Sequence, residues 1–357
     1  MKVITANVYQ DFHCLAGNCP DSCCRQGWEI VIDEEHLALY KSLPGVLGQR
    51  VRSALEGHTF RMRDGVCTLL DEDGLCPLVK NLGEEGLCHI CHTHPRFIED
   101  YGGVREYHLS LSCPEVQRLV QEQKTPVSLK TATTHEEITS YTDIDPDEYL
   151  ALMNIRDFSM KLCQQDNLPL PDRMSLLLFF AKRAQGLFGA GKHALCKPLA
   201  EQFSYAPGTR RYLSMARRYR LQKSSYFPER DLLLSLEHLT EEFPALVENT
   251  GFTCRNAEAF DKEHAPLLTK LLALWLAHYI PKAVCDGRVD SKIRFAVFLT
   301  LAVRRLCICN KESSPAQMAG LLAKEVEHSP ENLAFCFKTL AESRWHEHFL
   351  RHFPSLS

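Results

Sequence analysis

The chain has 357 residues, 45% of them hydrophobic and 24% charged, the balance of a folded globular protein long enough for two domains. Its formal net charge of -4 excludes a globally basic protein drawn to nucleic acid or to an anionic membrane surface. The opening MKVITANVYQDFHC has neither an apolar h-region nor a small-residue cleavage site. The most apolar stretches, Leu267 to Ile280 and Phe295 to Val303, are shorter than the roughly 20 residues that cross a bilayer, so a cytoplasmic protein with no membrane and no nucleic-acid partner is expected.

In chain order, glycines at 17, 27, 65, 74, 83, 86, 102 and 103 mark turns in a short-element region of about 120 residues. The alternation in Trp28 to Ile32 predicts a strand, and Asp33 is placed to cap a helix through Leu43. A second helix is expected over 46–56, a strand over 66–70 leading into the Asp71–Gly74 turn, and another strand over 107–111. Residues 121–145 are polar and threonine-rich and read as a linker. Asp145 and Pro146 then give an N-cap and first-turn signal for a helix through Gln164. Helical periodicity follows over 171–188, 209–222, 228–243, 257–280, 290–309, 315–326 and 331–349, with hardly a strand signal among them. The expected fold is mainly α. A small, irregular, cysteine-rich α+β metal-binding domain over 1–120 and the linker 121–145 precede an all-α domain over 146–357.

Sixteen cysteines in a chain without an export signal require an explanation. Nine fall in the first 113 residues, as Cys14-x4-Cys19-x3-Cys23-Cys24, Cys67-x8-Cys76-Pro77, Cys88-x2-Cys91 and Cys113-Pro114. Reducing cytosol keeps thiols free, so such clustering points to a metal centre rather than to disulfides. Short loops let several sulfurs converge, and one or two centres are equally compatible with nine thiols. Only Cys88-x2-Cys91 has the form of a zinc knuckle, and the adjacent Cys23-Cys24 suits the wider iron–sulfur cluster better, with zinc as the alternative. Cys163, Cys196, Cys254, Cys285, Cys307, Cys309 and Cys336 lie scattered in apolar helical patterns and read as core.

The run Phe12-His13-Cys14-x4-Cys19-Pro20-Asp21-Ser22-Cys23-Cys24-x2-Gly27-Trp28 resembles the opening of the flagellin lysine-N-methylases, within the wider group of cysteine-cluster proteins with a zinc- or iron-chelating domain. Cys67-x-Leu69-Leu70, Asp73-Gly74-Leu75-Cys76, Cys91-x3-Pro95-Arg96 and Leu111-Ser112-Cys113-Pro114-Glu115 follow in the family's order, so the resemblance covers about the first 120 residues. It implies transfer of methyl groups from S-adenosylmethionine to lysines of flagellin, by an enzyme carrying a 4Fe-4S cluster. It carries the cluster pattern onto Cys14, Cys19, Cys23, Cys24, Cys67, Cys76, Cys91 and Cys113, leaving Cys88 outside. The chain lacks the CxxxCxxC spacing of radical methylases, so radical cleavage of the cofactor is not expected.

Among other candidates, the planar guanidinium of Arg96 suits a cofactor carboxylate. His89, His92 and His94 interleave with Cys88 and Cys91 and read as an exposed polar loop. Asp21, Glu29, Tyr101 and Tyr107 stand near the cysteine motifs, and no catalytic base is assigned among them. Gly189-Ala190-Gly191-Lys192 lacks the phosphate-loop spacing and reads as a helix end. Arg210, Arg211, Arg217, Arg218, Arg220 and Lys223 make a basic helix with Tyr212 and Tyr219 interleaved, read as a solvated face with an acidic protein partner or nucleic acid as the sharper possibilities. The rival to an enzyme is a non-catalytic zinc- or iron-chelating module that organises a helical protein-interaction platform.

Overall fold

A computed structural model of the chain describes residues 1–135, 144–204, 206–220, 228–250, 257–310 and 313–352. Cys254 and Lys223 lie outside them, as do parts of the expected linker and of the 209–222 helix.

The protein is mainly helical, with one four-stranded sheet and two very short strand pairs among the described residues. The strands of the larger sheet are β1 (Lys2–Ala6), β2 (Arg96–Tyr101), β3 (Val104–Leu109) and β4 (Leu129–Thr133), in the order β2-β3-β1-β4. A tight turn at Gly102, in the left-handed region at φ +63, folds β2 onto β3 with Tyr101 opposite Val104. β1 runs parallel to β3 and antiparallel to β4. β4 occupies part of the segment expected to be a linker, and β1 was not expected at all. Both have one cause. Ala6 pairs with Leu129 across more than a hundred residues, a contact that local periodicity does not record.

Between β1 and β2 lies a compact unit. Asp33 caps α1 (Glu34–Ser42), its Oδ1 accepting from the His36 N–H at 3.1 Å, and α2 (Gly45–Ala54) follows. The expected strand at Trp28 to Ile32 is only extended chain. Val31 makes an isolated bridge to Thr59, while Ile30 and Ile32 point inward. The strand expected over 66–70 shrinks to Val66–Cys67. Ile30, Ile32, Leu37, Tyr40, Val51, Phe60, Leu69 and Leu78 form a small core of their own, with Cys67 and Cys88 inside it.

The larger core begins with Ala6, Val8 and Phe12 and continues through α3 (Pro114–Glu122) into the helices. Asp145 caps α4 (Pro146–Cys163) by accepting from the Asp147 N–H at 2.8 Å. It packs on α5 (Leu170–Phe188) and, with α6 (Cys196–Ser204) and α7 (Ala206–Arg220), makes one side of the core. α8 (Ala257–Tyr279) and α9 (Val289–Cys309) pack together at the centre. Every residue from Val289 to Val303 is buried, so α9 is covered all round. Its charges are accordingly paired, Arg294 with Asp290 at 2.8 Å and Lys292 with Asp286 at 2.5 Å. Ser314 and Gln317 form a capping box for α10 (Pro315–Leu322), which lies against α3. The helix expected over 331–349 is two, Pro330–Leu340 and Arg344–His352, and that over 228–243 shortens to Pro228–Leu234, with a separate helix at Glu242–Glu248. The segment 189–192 ends α5 as expected, with Gly191 at φ +66. No described helix is long and apolar enough to cross a membrane.

Candidate metal centre

Three of the nine N-terminal cysteines are placed by helix starts. Cys76, Cys88 and Cys113 occupy the residue before the helices Pro77–Leu82, His89–Thr93 and α3. The Cys-Pro pairs at 76–77 and 113–114 follow from this, because proline suits the first helical turn, where its missing N–H costs nothing. Free backbone N–H groups then face the sulfurs. Burial raises the Cys76 thiol, and the N–H groups of Leu78 and Val79 act against it. Burial likewise raises Cys113, opposed by the N–H groups of Val116 and Glu115. Such positions favour thiolate once a cation is present.

The loops between are held by polar ties. Asp33 Oδ2 accepts from the His89 N–H at 2.7 Å, fixing the Cys88–Cys91 turn to the start of α1. Tyr40, fully buried, donates to Gly86 O at 2.9 Å just before Cys88. Arg50 donates to Leu69 O at 2.8 Å and pairs with Asp71, while Lys80 pairs with Asp71 and Asp73, closing the Cys67–Cys76 loop. Ser22 Oγ accepts from the Cys24 N–H at 3.3 Å, starting the tight turn that presents the adjacent pair.

These ties bring Cys14, Cys19, Cys23, Cys24, Cys67, Cys76, Cys91 and Cys113 to the wall of a single cavity of about 380 Å³. Cys88 is buried behind Cys91 and does not line it. No described cysteine is in a disulfide. Among the described residues, no three metal-ligating groups converge as the ligands of one small ion would, and the thiols stand around the cavity instead. Two pairs share a proton. Cys23 donates to Cys24, raising itself and lowering Cys24 to about 7, and Cys91 donates to Cys88, which falls to about 7. Burial pushes Cys67 to about 11.

The cavity sits where the two cores meet. Ile30, Tyr40, Phe60, Leu69 and Leu78 line it from the small core, and Phe12 from the large one. Arg96 lies on the wall at the start of β2, its guanidinium 5.0 Å over the Phe12 ring. The helical region contributes residues that the sequence did not single out. Lys324 pairs with the wall residue Asp21 at 2.5 Å, and His328 hydrogen-bonds Ser110 and Ser112 at 2.8 and 3.0 Å, just before Cys113. Trp28, His328 and His94 form a cluster of tilted rings, with the Trp28 centre 4.6 Å from His328 and 5.2 Å from His94. Gln26 is 6% exposed and also lines the cavity, its Nε2 donating to Asp21 O and its Oε1 without a protein partner.

Three sequence readings change here. The CHICHTH segment is a short helix rather than an exposed loop, with His89 and His92 exposed and His94 packed inward and lowered by burial to about 3. Tyr101 is buried against Tyr149, away from the cavity wall, and Glu29 is exposed. Among the scattered cysteines, Cys163, Cys196, Cys307 and Cys336 are core, whereas Cys285 is exposed and Cys309 half-buried, because each ends its helical segment.

Comparison with known proteins places this architecture. The chain is 30% identical over 119 residues to the flagellar biosynthetic protein FliU of Salmonella muenchen, covering 68% of that protein and 29% of this chain. The chain belongs to the FliU family. It is also 26% identical over 188 residues to the lysine-N-methylases of Salmonella typhimurium and Salmonella choleraesuis. That match covers 49% of this chain, which thus spans 45% of the length of those two relatives. No family model matches the chain, and no solved structure matches it.

Proposed function

We propose that this FliU-family chain is a protein-lysine N-methyltransferase that moves methyl groups from S-adenosylmethionine to lysine side chains of flagellin. An iron–sulfur cluster would be held by cysteines from the set Cys14, Cys19, Cys23, Cys24, Cys67, Cys76, Cys91 and Cys113. The observation that carries this reading is the gathering of all eight thiols on one cavity, in a chain similar to proteins named lysine-N-methylase. The donor set fits the group, since thiols outnumber the other ligating side chains on the wall, and soft sulfur donors suit iron–sulfur or zinc and suit hard cations poorly.

A cluster there would supply a fixed charged centre beside the cofactor. The chain's own residues do the rest. Thiolates would hold the centre, and Arg96, its guanidinium held over Phe12, would pair with the cofactor's carboxylate. In the reaction the lysine nitrogen's lone pair attacks the sulfonium methyl, the S–C bond returns its electrons to sulfur, and the amine proton leaves to solvent. An amine with a pKa near ~10.4 must be desolvated to react at neutral pH, which the apolar part of the cavity lining favours.

The test is incubation of anaerobically purified protein with flagellin and S-adenosylmethionine, followed by intact mass. Mass gains in methyl-sized steps on lysine are expected from brown protein absorbing near ~400 nm. Cluster-replete protein that adds no mass overturns the reading. Colourless protein with stoichiometric zinc and no methyl transfer favours the interaction platform.

A further inference from the structure

The charge of this chain is unevenly placed. Residues 182–220 hold nine lysines and arginines against the single carboxylate of Glu201, a formal +8, so the remainder of a chain of net -4 carries -12. The basic stretch covers the end of α5, then α6 and α7. Its geometry explains which charges are structural. α7 docks through Leu213, Ala216 and Arg220. The Arg220 guanidinium is buried, giving hydrogen bonds to Asp172 Oδ1 at 2.7 Å, Pro171 O at 2.9 Å and Ser175 Oγ at 2.7 Å. Tyr212 lies flat on Phe203, with ring centres 4.5 Å apart and planes 11° apart, and receives a hydrogen bond from Arg183.

The solvent side of α7 presents Arg211 and Arg218 opposite the docked face, beside an exposed Met215, and Arg210 and Arg217 on the flank, all four exposed. Among the described residues none of these four arginines is in an ion pair. Arg217 and Arg218 suit the C-terminal end of the helix dipole, but Arg210 and Arg211 lie in its N-terminal half, where a positive charge gains nothing from it. Helix stabilisation therefore does not account for the whole face. Two arginine pairs seven residues apart stand about 10 Å from one another at 1.5 Å per residue.

We infer that the exposed face of α7 is a docking surface for an acidic polypeptide segment, with carboxylates about 10 Å apart meeting the two arginine pairs. A polyproline II segment places residues i and i+3 on one face at roughly that spacing. Nucleic acid fits less well, because both tyrosines of the helix are half-buried and Tyr212 is stacked on Phe203, leaving no free ring for a base. A lipid surface fits less well again, since Met215 is the one large apolar side chain exposed on the helix. The inference stands apart from the methyl-transfer reading and is tested without it.

Fluorescence anisotropy of a labelled ten-glutamate peptide, titrated with the full chain at low and moderate salt, reads the surface directly. The R210E/R217E variant should bind about tenfold more weakly, while K41E/R63E, which reverses as many exposed positive charges elsewhere, binds like the parent. Circular dichroism checks that both variants keep the parent fold. Equal weakening by both variants, or no peptide binding by the parent, overturns the inference. A single-stranded oligonucleotide or phosphatidylserine vesicles binding more tightly than the peptide, and losing that binding in R210E/R217E, also overturns it.

Discussion

Replacing Glu327 by glutamine probes the buried acid behind the sheet. Glu327 ends the single π turn Ala323–Glu327, is 8% exposed, and accepts a hydrogen bond from the buried Tyr279 hydroxyl. Burial outweighs that bond and lifts its carboxyl from 4.5 to about 7. Between these values the folded protein keeps a proton that the unfolded chain has lost, so stability falls as pH rises through the window. The contribution is fully present below pH 4.5 and gone above pH 7. At ~1.36 kcal/mol per pH unit it amounts to roughly 3 kcal/mol. Glutamine keeps an oxygen for Tyr279 and carries no charge, so Glu327→Gln removes the pH dependence and leaves the packing. Thermal unfolding of parent and variant from pH 5 to 8 should show the variant gaining on the parent across the window. At ~2.1 cal/mol/K of unfolding entropy per residue, roughly 3 kcal/mol corresponds to about 4 °C in Tm. A Tm difference that stays constant from pH 5 to 8 would refute the reasoning.

Burial also lowers His94 and His278 to about 3 and His328 and His346 to about 4. The unfolded chain takes up these protons below about pH 6.5 while the folded one refuses them, so the urea midpoint should drop steeply between pH 6.5 and 4. Arg156→Met strips Glu106, which is 0% exposed, of the guanidinium 2.7 Å from both its oxygens. A loss of about 3–5 kcal/mol in denaturant unfolding is expected, and adding Glu106→Gln should recover much of it. At Gly320 a methyl group would stand 2.8 Å from the Leu111 carbonyl, which cannot swing aside as the Gln117 amide can. Gly320→Ala should therefore cost about 1–3 kcal/mol, and an unchanged denaturation midpoint would show that α10 and α3 separate freely.

What the sequence revealed and what it hid divide along one physical line. Caps and turns are local, so the start of α1 at Asp33 and the start of α4 at Asp145 could be read from a few neighbouring residues, whereas the helix starts at the Cys-Pro pairs were not read as such. The cysteine set was legible because thiol spacing and turn glycines travel together. The strand at Trp28 to Ile32 failed differently. Its period of two does record the burial of Ile30 and Ile32, but burial alternates along any extended chain, whether or not a partner strand is hydrogen-bonded to it. The β1–β4 and β1–β3 pairings, and the reach of Lys324 and His328 to the cavity, span from about one hundred to about three hundred residues and leave no local trace. Cys285 and Cys309 looked like core because their neighbours are apolar, yet a position at a helix end turns toward solvent.

The cavity's place at the meeting of two cores bears on what any occupant would do. Cys67 sits inside the small core, with Cys24, Cys76 and Cys91 packed against it, while Cys113 packs on the large one. Among the described residues, Lys324 of the π turn pairs with Asp21, and His328 beside it packs against Trp28 at the edge of the small core. Ion pairs of such partly exposed groups are worth little each. A centre gripped by thiols from both walls binds the folded arrangement and not the unfolded chain, so its binding free energy adds directly to the stability of the joint. The same ties make Arg96 and Gln26 sensitive to occupancy, because both stand on a wall that the small core and β2 must hold at a fixed separation. With a centre bound, the thiols would serve two ends at once: they would set the shape of the pocket, and they would couple the unit spanning residues 30–91 to the helices behind it.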